Sequence, residues 1–284
     1  MKKTILIFGM IAVVCTAANL SCSGSGGSKN AEATTEDTDK PLNITIFIDL
    51  SDRLVQASQP SQIERDTALV GYIADCFFAM TKESDGGIQD SKNRIKVLFS
   101  PEPNATAMAK CAEDLILDIQ KCREGAERKA RVKGVKQAFQ TSLAQIYSQA
   151  IEDNDFHGCD IWGFFSNKKV DTHCISDGYR NILIVLTDGY LFDDKTKAIN
   201  GDTSVFIVPK ILQNPNAALK VARNDLKNLE VLILEINPEP KYLPKMKSML
   251  ENWLVGMGLN ADDIKIEDTG LPAHKRDIIE RFLN

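Results

Sequence analysis

The feature that most constrains the fold is an alternation of short, continuously apolar segments with longer segments of helical periodicity. The clearest apolar segments are residues 181–187 (NILIVLT) and residues 230–236 (EVLILEI). Strands that are apolar on both faces are typical of a parallel sheet buried between two layers of helices. Residues 43–49 (NITIFID) and residues 94–99 (RIKVLF) have a similar composition. We therefore predict an α/β fold with a doubly wound, mostly parallel sheet and helices on both faces.

Helical periodicity predicts the elements between these strands. A capping box at Ser61 and Glu64 opens the first predicted helix. The other predicted elements are a helix over 61–82, a helix over 160–169, a strand over 203–208, a helix over 241–256, a strand over 263–267 and a helix over 272–283. Two further apolar stripes, over about residues 106–152, have the spacing of helices packed side by side, so we predict a helical hairpin inserted there.

The N-terminus resembles a bacterial lipoprotein signal. Two lysines precede a 14-residue apolar run over residues 5–18. A membrane-spanning helix needs about 20 such residues, whereas a signal-peptide core needs about 7–15. Ser21 and Cys22 then lead into a Gly/Ser tract, although Asn19 stands where such signals usually have Leu, Val or Ile. The resemblance implies that residues 1–21 are a signal peptide and that Cys22 carries the lipid. The alternative is ordinary secretion.

The polar composition of residues 22–40 predicts a flexible tether ahead of a folded domain over residues 41–284. We expect an exported protein of the bacterial cell envelope, held by its lipid at the outer membrane or the periplasmic face. The net charge of -5 argues against a dedicated nucleic-acid binder.

Two of the predicted strands end in acids. Asp49, with Ser51 close behind it, follows the first strand, and Asp188 follows residues 181–187. Ligand sites in doubly wound folds lie at the carboxyl ends of the strands. If the two strands are neighbours, the two carboxylates repel each other unless a cation lies between them. A hard divalent cation with oxygen ligands, Mg²⁺, Mn²⁺ or Ca²⁺, is the simplest resolution.

These strand ends resemble the motifs of a von Willebrand factor type A (VWA) domain. The resemblance covers the chain from residue 43 to about residue 267. That family has a Rossmann-like doubly wound sheet with a metal-ion-dependent adhesion site (MIDAS). The resemblance implies that Asp49 and Ser51 belong to its first motif, Asp-x-Ser-x-Ser, and Asp188 to its third. For the second motif, a Thr or Asp in a loop that opens a helix, we favour Asp160, with Thr141 as the alternative.

The chain departs from the family at the fifth position of the first motif, where Arg53 replaces Ser. The change removes an oxygen ligand and adds a positive charge beside the cation. The guanidinium either points away, or it replaces the metal by pairing with Asp188. The site is therefore either an occupied metal site or a degenerate one, in which Asp160 is a plain helix cap.

The family resemblance implies a non-enzymatic binding module that engages a protein partner. The alternative is a phosphohydrolase like the haloacid dehalogenases, with Asp49 as nucleophile. Those enzymes usually have a second Asp two residues later as the general acid, and Ser51 stands there instead. The chain contains no Gly-rich phosphate loop, H-E-x-x-H motif or G-x-S-x-G elbow. We find no complete catalytic constellation.

The cysteines and the basic residues allow two further predictions. Cys159 and Cys174 flank one short segment, and disulfides persist outside the cytoplasm, so we predict a bond between them. One alternative is a zinc ion bound by these two cysteines together with His157 and His173, although this spacing matches no common zinc pattern. The other alternative is that both thiols are free. Basic residues cluster at the tip of the predicted hairpin. They form either a solvated face or a docking patch for an acidic partner or lipid head groups.

Overall fold

A six-stranded sheet forms the centre of the computed structural model, which describes residues 40–99, 111–152, 159–189 and 220–284. The strand order is β3-β2-β1-β4-β5-β6. The strands are β1 (Leu42–Ile48), β2 (Arg94–Phe99), β3 (Ile116–Asp118), β4 (Arg180–Leu186), β5 (Glu230–Ile236) and β6 (Ile264–Asp268). Neighbouring strands are parallel, except that β3 runs antiparallel to β2. The order reverses between β1 and β4, which is where doubly wound sheets bind ligands.

Helices cover both faces of this sheet, which confirms the predicted fold class. The α-helices are α1 (Gln62–Glu83), α2 (Gly87–Asp90), α3 (Ala126–Glu152), α4 (Ile161–Ser166), α5 (Lys169–Cys174), α6 (Leu243–Val255) and α7 (Pro272–Leu283). Short 3₁₀ turns lie at Asp52–Val55, Ile119–Lys121, Pro240–Tyr242 and Ala261–Asp263. One apolar core joins the sheet to α1, α3 and α7, and a second core joins the opposite face to α4, α5 and α6.

Strand β1 shows why the sheet is buried on both sides. Ile44, Ile46 and Ile48 enter the first core, and Phe47 enters the second, because successive side chains point to opposite faces. Helix α1 then begins at the predicted capping box. The Ser61 hydroxyl accepts from the Glu64 N–H at 3.3 Å, and the Glu64 carboxylate accepts from the Ser61 N–H at 2.8 Å.

The predicted helical hairpin over residues 106–152 is wrong in its first arm. Residues 111–114 are helical, but Ile116–Asp118 form the edge strand β3, in which Asp118 lies opposite Arg94 of β2. Leu115 and Ile119 are buried four residues apart, which imitates a helical stripe. They enter the core on either side of the strand, one before it and one in the following 3₁₀ turn. The second arm is the 27-residue helix α3.

Some predictions lie outside the described residues. These include Cys22, His157 and the strand over 203–208. Within the parts of the chain that the structure describes, no helix combines the length and the apolar character that a membrane span requires.

Candidate functional site

Asp49 lies at the switch point, directly after β1, and its side chain is buried. Its Oδ1 accepts from the backbone N–H of Ser51 at 2.8 Å, and its Oδ2 accepts from the hydroxyl of Thr187 at 3.0 Å. Its own N–H donates to the carbonyl of Leu186 on β4 at 3.0 Å. Burial raises the pKa of Asp49, while the charge of Arg53 and these hydrogen bonds oppose the rise.

Arg53 folds back against the sheet from the 3₁₀ turn, and only 2% of it is exposed. Its Nε donates to the carbonyl oxygen of Asp49 at 3.0 Å and lies 3.8 Å from Asp49 Oδ2. Its Nη2 donates to Asp66 Oδ2 at 2.7 Å and to the carbonyl of Leu186 at 3.2 Å. This guanidinium therefore forms ion pairs with Asp49 and Asp66. The sequence left open whether it points away from the site or pairs with Asp188, and it turns inward onto these two acids.

Asp66, on the first turns of α1, is the centre of this polar cluster and is fully buried. Besides Arg53, it accepts a hydrogen bond from the hydroxyl of Tyr147 on α3 at 2.7 Å. The side-chain amide of Gln62, one turn earlier on α1, donates to it at 2.8 Å. Because a buried carboxylate is costly unless it is paired and hydrogen-bonded, these contacts explain how Asp66 is tolerated inside the fold.

The cluster continues to Glu235 on β5, which is 1% exposed. Glu235 Oε2 lies 3.0 Å from Arg65 Nε and accepts from the Thr269 hydroxyl at 2.9 Å. The backbone of Glu235 has φ +74°, and the pairing of β5 with β6 is irregular at this point. Such a conformation is strained for a residue other than glycine, and strain of this kind is commonest at functional sites. Burial raises the pKa of Glu235.

The other predicted site residues have simpler surroundings. Asp160 caps α4, as predicted from its position, because its Oδ1 accepts from the Gly163 N–H at 2.7 Å. Asp188 is half-buried after β4, and its carbonyl accepts from the N–H of Asn237 at 2.9 Å. Ser51 is also half-buried, beside Asp49. These three residues form the accessible part of the candidate site.

Cys159, directly before Asp160, is buried beside the candidate site. Burial is the main cause that raises the pKa of Cys159 well above its usual value. The charges of Asp49, Asp188 and Asp160 raise this pKa further, and the charge of Arg53 opposes them. The structure thus brings these three residues to one edge of the sheet, and it holds the thiol in its protonated form.

Thr141, the alternative to Asp160, is not at this edge. It is exposed on the outer face of α3, and its hydroxyl accepts from the side-chain amide of Gln137 at 3.1 Å. The stripe of α3 that faces the core contains Phe139, Leu143 and Ile146, and helical geometry places Thr141 away from that stripe.

The predicted disulfide is wrong in this structure, because Cys159 and Cys174 are both free and buried. Ile161, two residues after Cys159, lines a cavity together with Thr187 and Gly189 beyond the end of β4, whereas the Cys174 carbonyl accepts from the side chain of Asn43 at the start of β1, at 2.7 Å. Six residues of strand span about 20 Å, and a disulfide needs Cα atoms within about 7 Å. The separation also rules out one zinc ion bound by both thiols.

The surroundings of Asp49 do not fit a divalent cation. Both carboxylate oxygens already accept hydrogen bonds, and the Arg53 guanidinium holds a positive charge 3.8 Å from Oδ2. Metal sites of this kind are built from several oxygen ligands around an accessible position. Over residues 40–99, 111–152, 159–189 and 220–284, no three His, Cys, Asp or Glu side chains are arranged to hold a metal ion.

No family model matches the chain, and no curated protein matches its sequence. Among solved structures, an aerotolerance-related membrane protein from Bacteroides fragilis is 10% identical at a TM-score of 0.39, over 86% of this chain and 98% of that one. The pilus adhesin SpaC from Lactobacillus rhamnosus GG is 13% identical at a TM-score of 0.39, over 86% of this chain and 29% of that one. Proximal thread matrix protein 1 from the mussel byssus is 10% identical at the same TM-score, over 87% of this chain and 48% of that one. Structural similarity this distant supports no conclusion about the activity or the partner of this chain.

Proposed function

We propose that this chain is an exported, lipid-anchored binding module of VWA-like architecture. It engages a protein partner at the carboxyl edge of the sheet, through a degenerate adhesion-type site that works without a metal ion. The observation that carries this proposal is the position of Arg53. Its buried guanidinium pairs with Asp49 and Asp66 and so supplies, from within the chain, the positive charge that an adhesion-type site takes from its cation.

The chemistry of the edge favours binding over catalysis. The Cys159 thiol is a poor nucleophile because burial and nearby acids keep it protonated. Asp49, the nucleophile of the phosphohydrolase alternative, has both oxygens engaged in hydrogen bonds. Ser51 stands where that alternative needs a proton donor. Asp160 and Asp188 remain half-buried at the edge, where a partner can contact them.

A cation titration tests whether Arg53 replaces the metal. We expect Mg²⁺, Mn²⁺ and Ca²⁺ to leave the thermal unfolding midpoint of the wild type unchanged. The double variant Arg53→Ser/Asp66→Asn restores the motif hydroxyl and removes the guanidinium together with its buried counter-ion. A cation at a hundred times its dissociation constant should stabilise this variant by about 2.7 kcal/mol.

The control for this titration is Asp188→Ala in the double-variant background, which should abolish the stabilisation. A stabilised wild type that loses the effect in Asp188→Ala would show an occupied metal site and contradict the degenerate one. Hydrolysis of a generic phosphomonoester by the wild type, lost in Asp49→Asn, would instead support the phosphohydrolase alternative.

The lipid anchor is tested separately by cell fractionation. Cys22→Ser should move the protein from the membrane fraction to the soluble fraction, because the substitution removes the acyl chains of the proposed anchor. Cys76→Ser, which removes a half-buried free thiol of the folded domain, should leave the protein with the membranes. If the Cys22→Ser protein stays with the membranes, the anchor lies elsewhere.

A further inference from the structure

The chain enters the folded domain at the amino edge of the sheet, opposite the candidate site. Lys40 is exposed and lies two residues before the first residue of β1. The carbonyl of Pro41 accepts from the backbone N–H of Arg180, the first residue of β4, at 3.0 Å. Because the two strands are parallel, both begin at the same edge. Any tether that precedes Lys40 therefore reaches the domain from the amino edge.

The start of helix α3 lies at this same edge. Strand β3 runs antiparallel to β2, so the chain leaves β3 beside the first residue of β2. Gln89, shortly before β2, exchanges two hydrogen bonds with the backbone of Gly125, at 3.1 and 3.2 Å. The hydroxyl of Tyr179, directly before β4, donates to Gln120 at 3.3 Å. These contacts fix the segment before α3 against the amino edge.

This part of the chain carries a group of exposed basic side chains, which we call the basic tip. The basic tip consists of Lys121, Arg123, Lys129, Arg131 and Lys133. Acids near it include Asp118, 3.6 Å from Lys121, together with the exposed Glu124, Glu127 and Asp90, the last of which directly follows Gln89. From residue 129 to residue 151 the helix contains no acidic residue, although the whole chain has a net charge of -5. The basic tip is thus opposite in sign to the protein as a whole.

Two neighbouring basic residues are not part of this surface. The guanidinium of Arg128 turns inward and donates to the carbonyls of Cys122, at 3.0 Å, and of Gln89. Lys136 is half-buried and pairs with Asp75 of α1 at 2.6 Å. Their charges serve the packing of α3, whereas those of the basic tip face solvent.

We propose that the basic tip docks on the anionic lipid head groups of the membrane that holds the anchor. The inference rests on the proposed lipid anchor at Cys22, which lies eighteen residues before Lys40. Eighteen residues span at most about 60 Å, and a flexible chain of that length averages about 25 Å. An anionic surface attracts nearby Lys and Arg side chains within a Debye length, about 8 Å at physiological salt. Docking by the amino edge leaves the carboxyl edge facing away from the membrane, open to a partner.

Vesicle co-sedimentation tests this surface without the anchor. The sample is the mature chain carrying Cys22→Ser, mixed with phosphatidylcholine vesicles with or without phosphatidylglycerol. We expect it to bind only the vesicles that contain phosphatidylglycerol, and to be released by high salt. Lys129→Gln/Arg131→Gln/Lys133→Gln should weaken this binding by about tenfold or more, since each basic residue near the surface contributes.

The matched control is Lys241→Gln/Lys245→Gln/Arg276→Gln, which removes the same charge from exposed positions in the segments that follow β5 and β6, outside the basic tip. This control should bind the anionic vesicles like the parent chain. Equal weakening in both triple variants would overturn the proposal, because binding would then follow net charge alone. Equal binding to both kinds of vesicle, or to neither, would also overturn it. Since the sample carries no lipid, failure here leaves the result of the Cys22 fractionation intact.

Discussion

Arg53→Ala should destabilise the folded protein by about 3–5 kcal/mol near neutral pH, as expected when one partner of a buried ion pair is removed. The substitution leaves Asp66 and Asp49 without their shared counter-ion, and both carboxylates are at most 1% exposed. The hydrogen bonds from Tyr147 and Gln62 to Asp66 remain, but they carry no full positive charge. Urea unfolding of the variant and the wild type measures the difference.

The pH dependence of this loss identifies its cause. Burial already raises the pKa of Asp49, and removing the charge of Arg53 raises that pKa further. At a given pH, the folded variant is therefore more protonated at Asp49 than the wild type or the unfolded chain. The deficit relative to the wild type should shrink as the pH falls through this raised pKa, and it should grow as the pH rises. Unfolding measured at a series of pH values from about 5 to about 8 shows whether the deficit grows with pH.

Arg276→Ala is the control for this prediction. Arg276 is exposed and pairs with Glu280 on the same helix at 2.9 Å, so its loss should leave the unfolding midpoint near that of the wild type at both pH values. If Arg53→Ala were as mild as Arg276→Ala, the guanidinium would not be holding the buried carboxylates. The proposal that Arg53 replaces the metal ion would then lose its main evidence.

The central strands could be predicted because parallel strands between two helical layers are apolar on both faces. β2 and β5 begin and end where the sequence places them, and β4 is shifted by one residue. The edge strand β3 could not be predicted in this way. It has three residues, and only Leu117 of them is buried. The apolar residues that flank β3 therefore dominate the pattern and imitate a helix.

The candidate site was only partly predictable. Asp49 and Asp188 could be found because acids at the ends of apolar strands are conspicuous. Asp66 was not predicted, because a single acid within a segment of helical periodicity is not conspicuous. A signal was nevertheless present, since Asp66 precedes Leu69 by three residues and Ile73 by seven. That spacing places Asp66 on the buried stripe of α1, where a charged residue needs a partner.

Glu235 offered a similar signal, because it lies between Leu234 and Ile236 and is the one charged residue of the apolar segment that follows Glu230. The disulfide prediction failed for a different reason. Cys159 and Cys174 are close in sequence, but two short helices carry the chain between them from the carboxyl edge to the amino edge. Distance along the chain says little about distance in space when a helical connection crosses a sheet.

Gly189→Ala should destabilise the protein by about 2–4 kcal/mol, since a left-handed backbone costs a residue with a side chain about 1–2 kcal/mol and overpacking costs about 1–3 kcal/mol. Gly189 has φ +98°. A Cβ atom there would lie 2.5 Å from Met246 Sδ and 2.8 Å from Ile236 Cδ1. Thermal or urea unfolding measures the loss.

Gly134→Ala is the matched control, and its effect should have the opposite sign. Gly134 lies inside α3, and a Cβ atom there meets no other atom within 4 Å. Alanine should therefore stabilise the protein by about 0.5–1 kcal/mol, because glycine is the poorer helix former. If both variants were stabilised, the backbone after Asp188 could not be left-handed.

The position of Gly189 links this stability prediction to the candidate site. Its N–H donates to the hydroxyl of Thr187 at 3.2 Å, and that hydroxyl donates to Asp49 at 3.0 Å. A backbone that must turn away from φ +98° breaks the first of these bonds and moves Asp188, the residue directly before it. If a partner binds at the carboxyl edge as proposed, Gly189→Ala should weaken that binding by more than its stability loss predicts, whereas a destabilising change far from the edge should weaken binding only through the fraction unfolded. If Gly189→Ala and the distant variant bound the partner equally well per folded molecule, the partner surface would lie elsewhere on the domain.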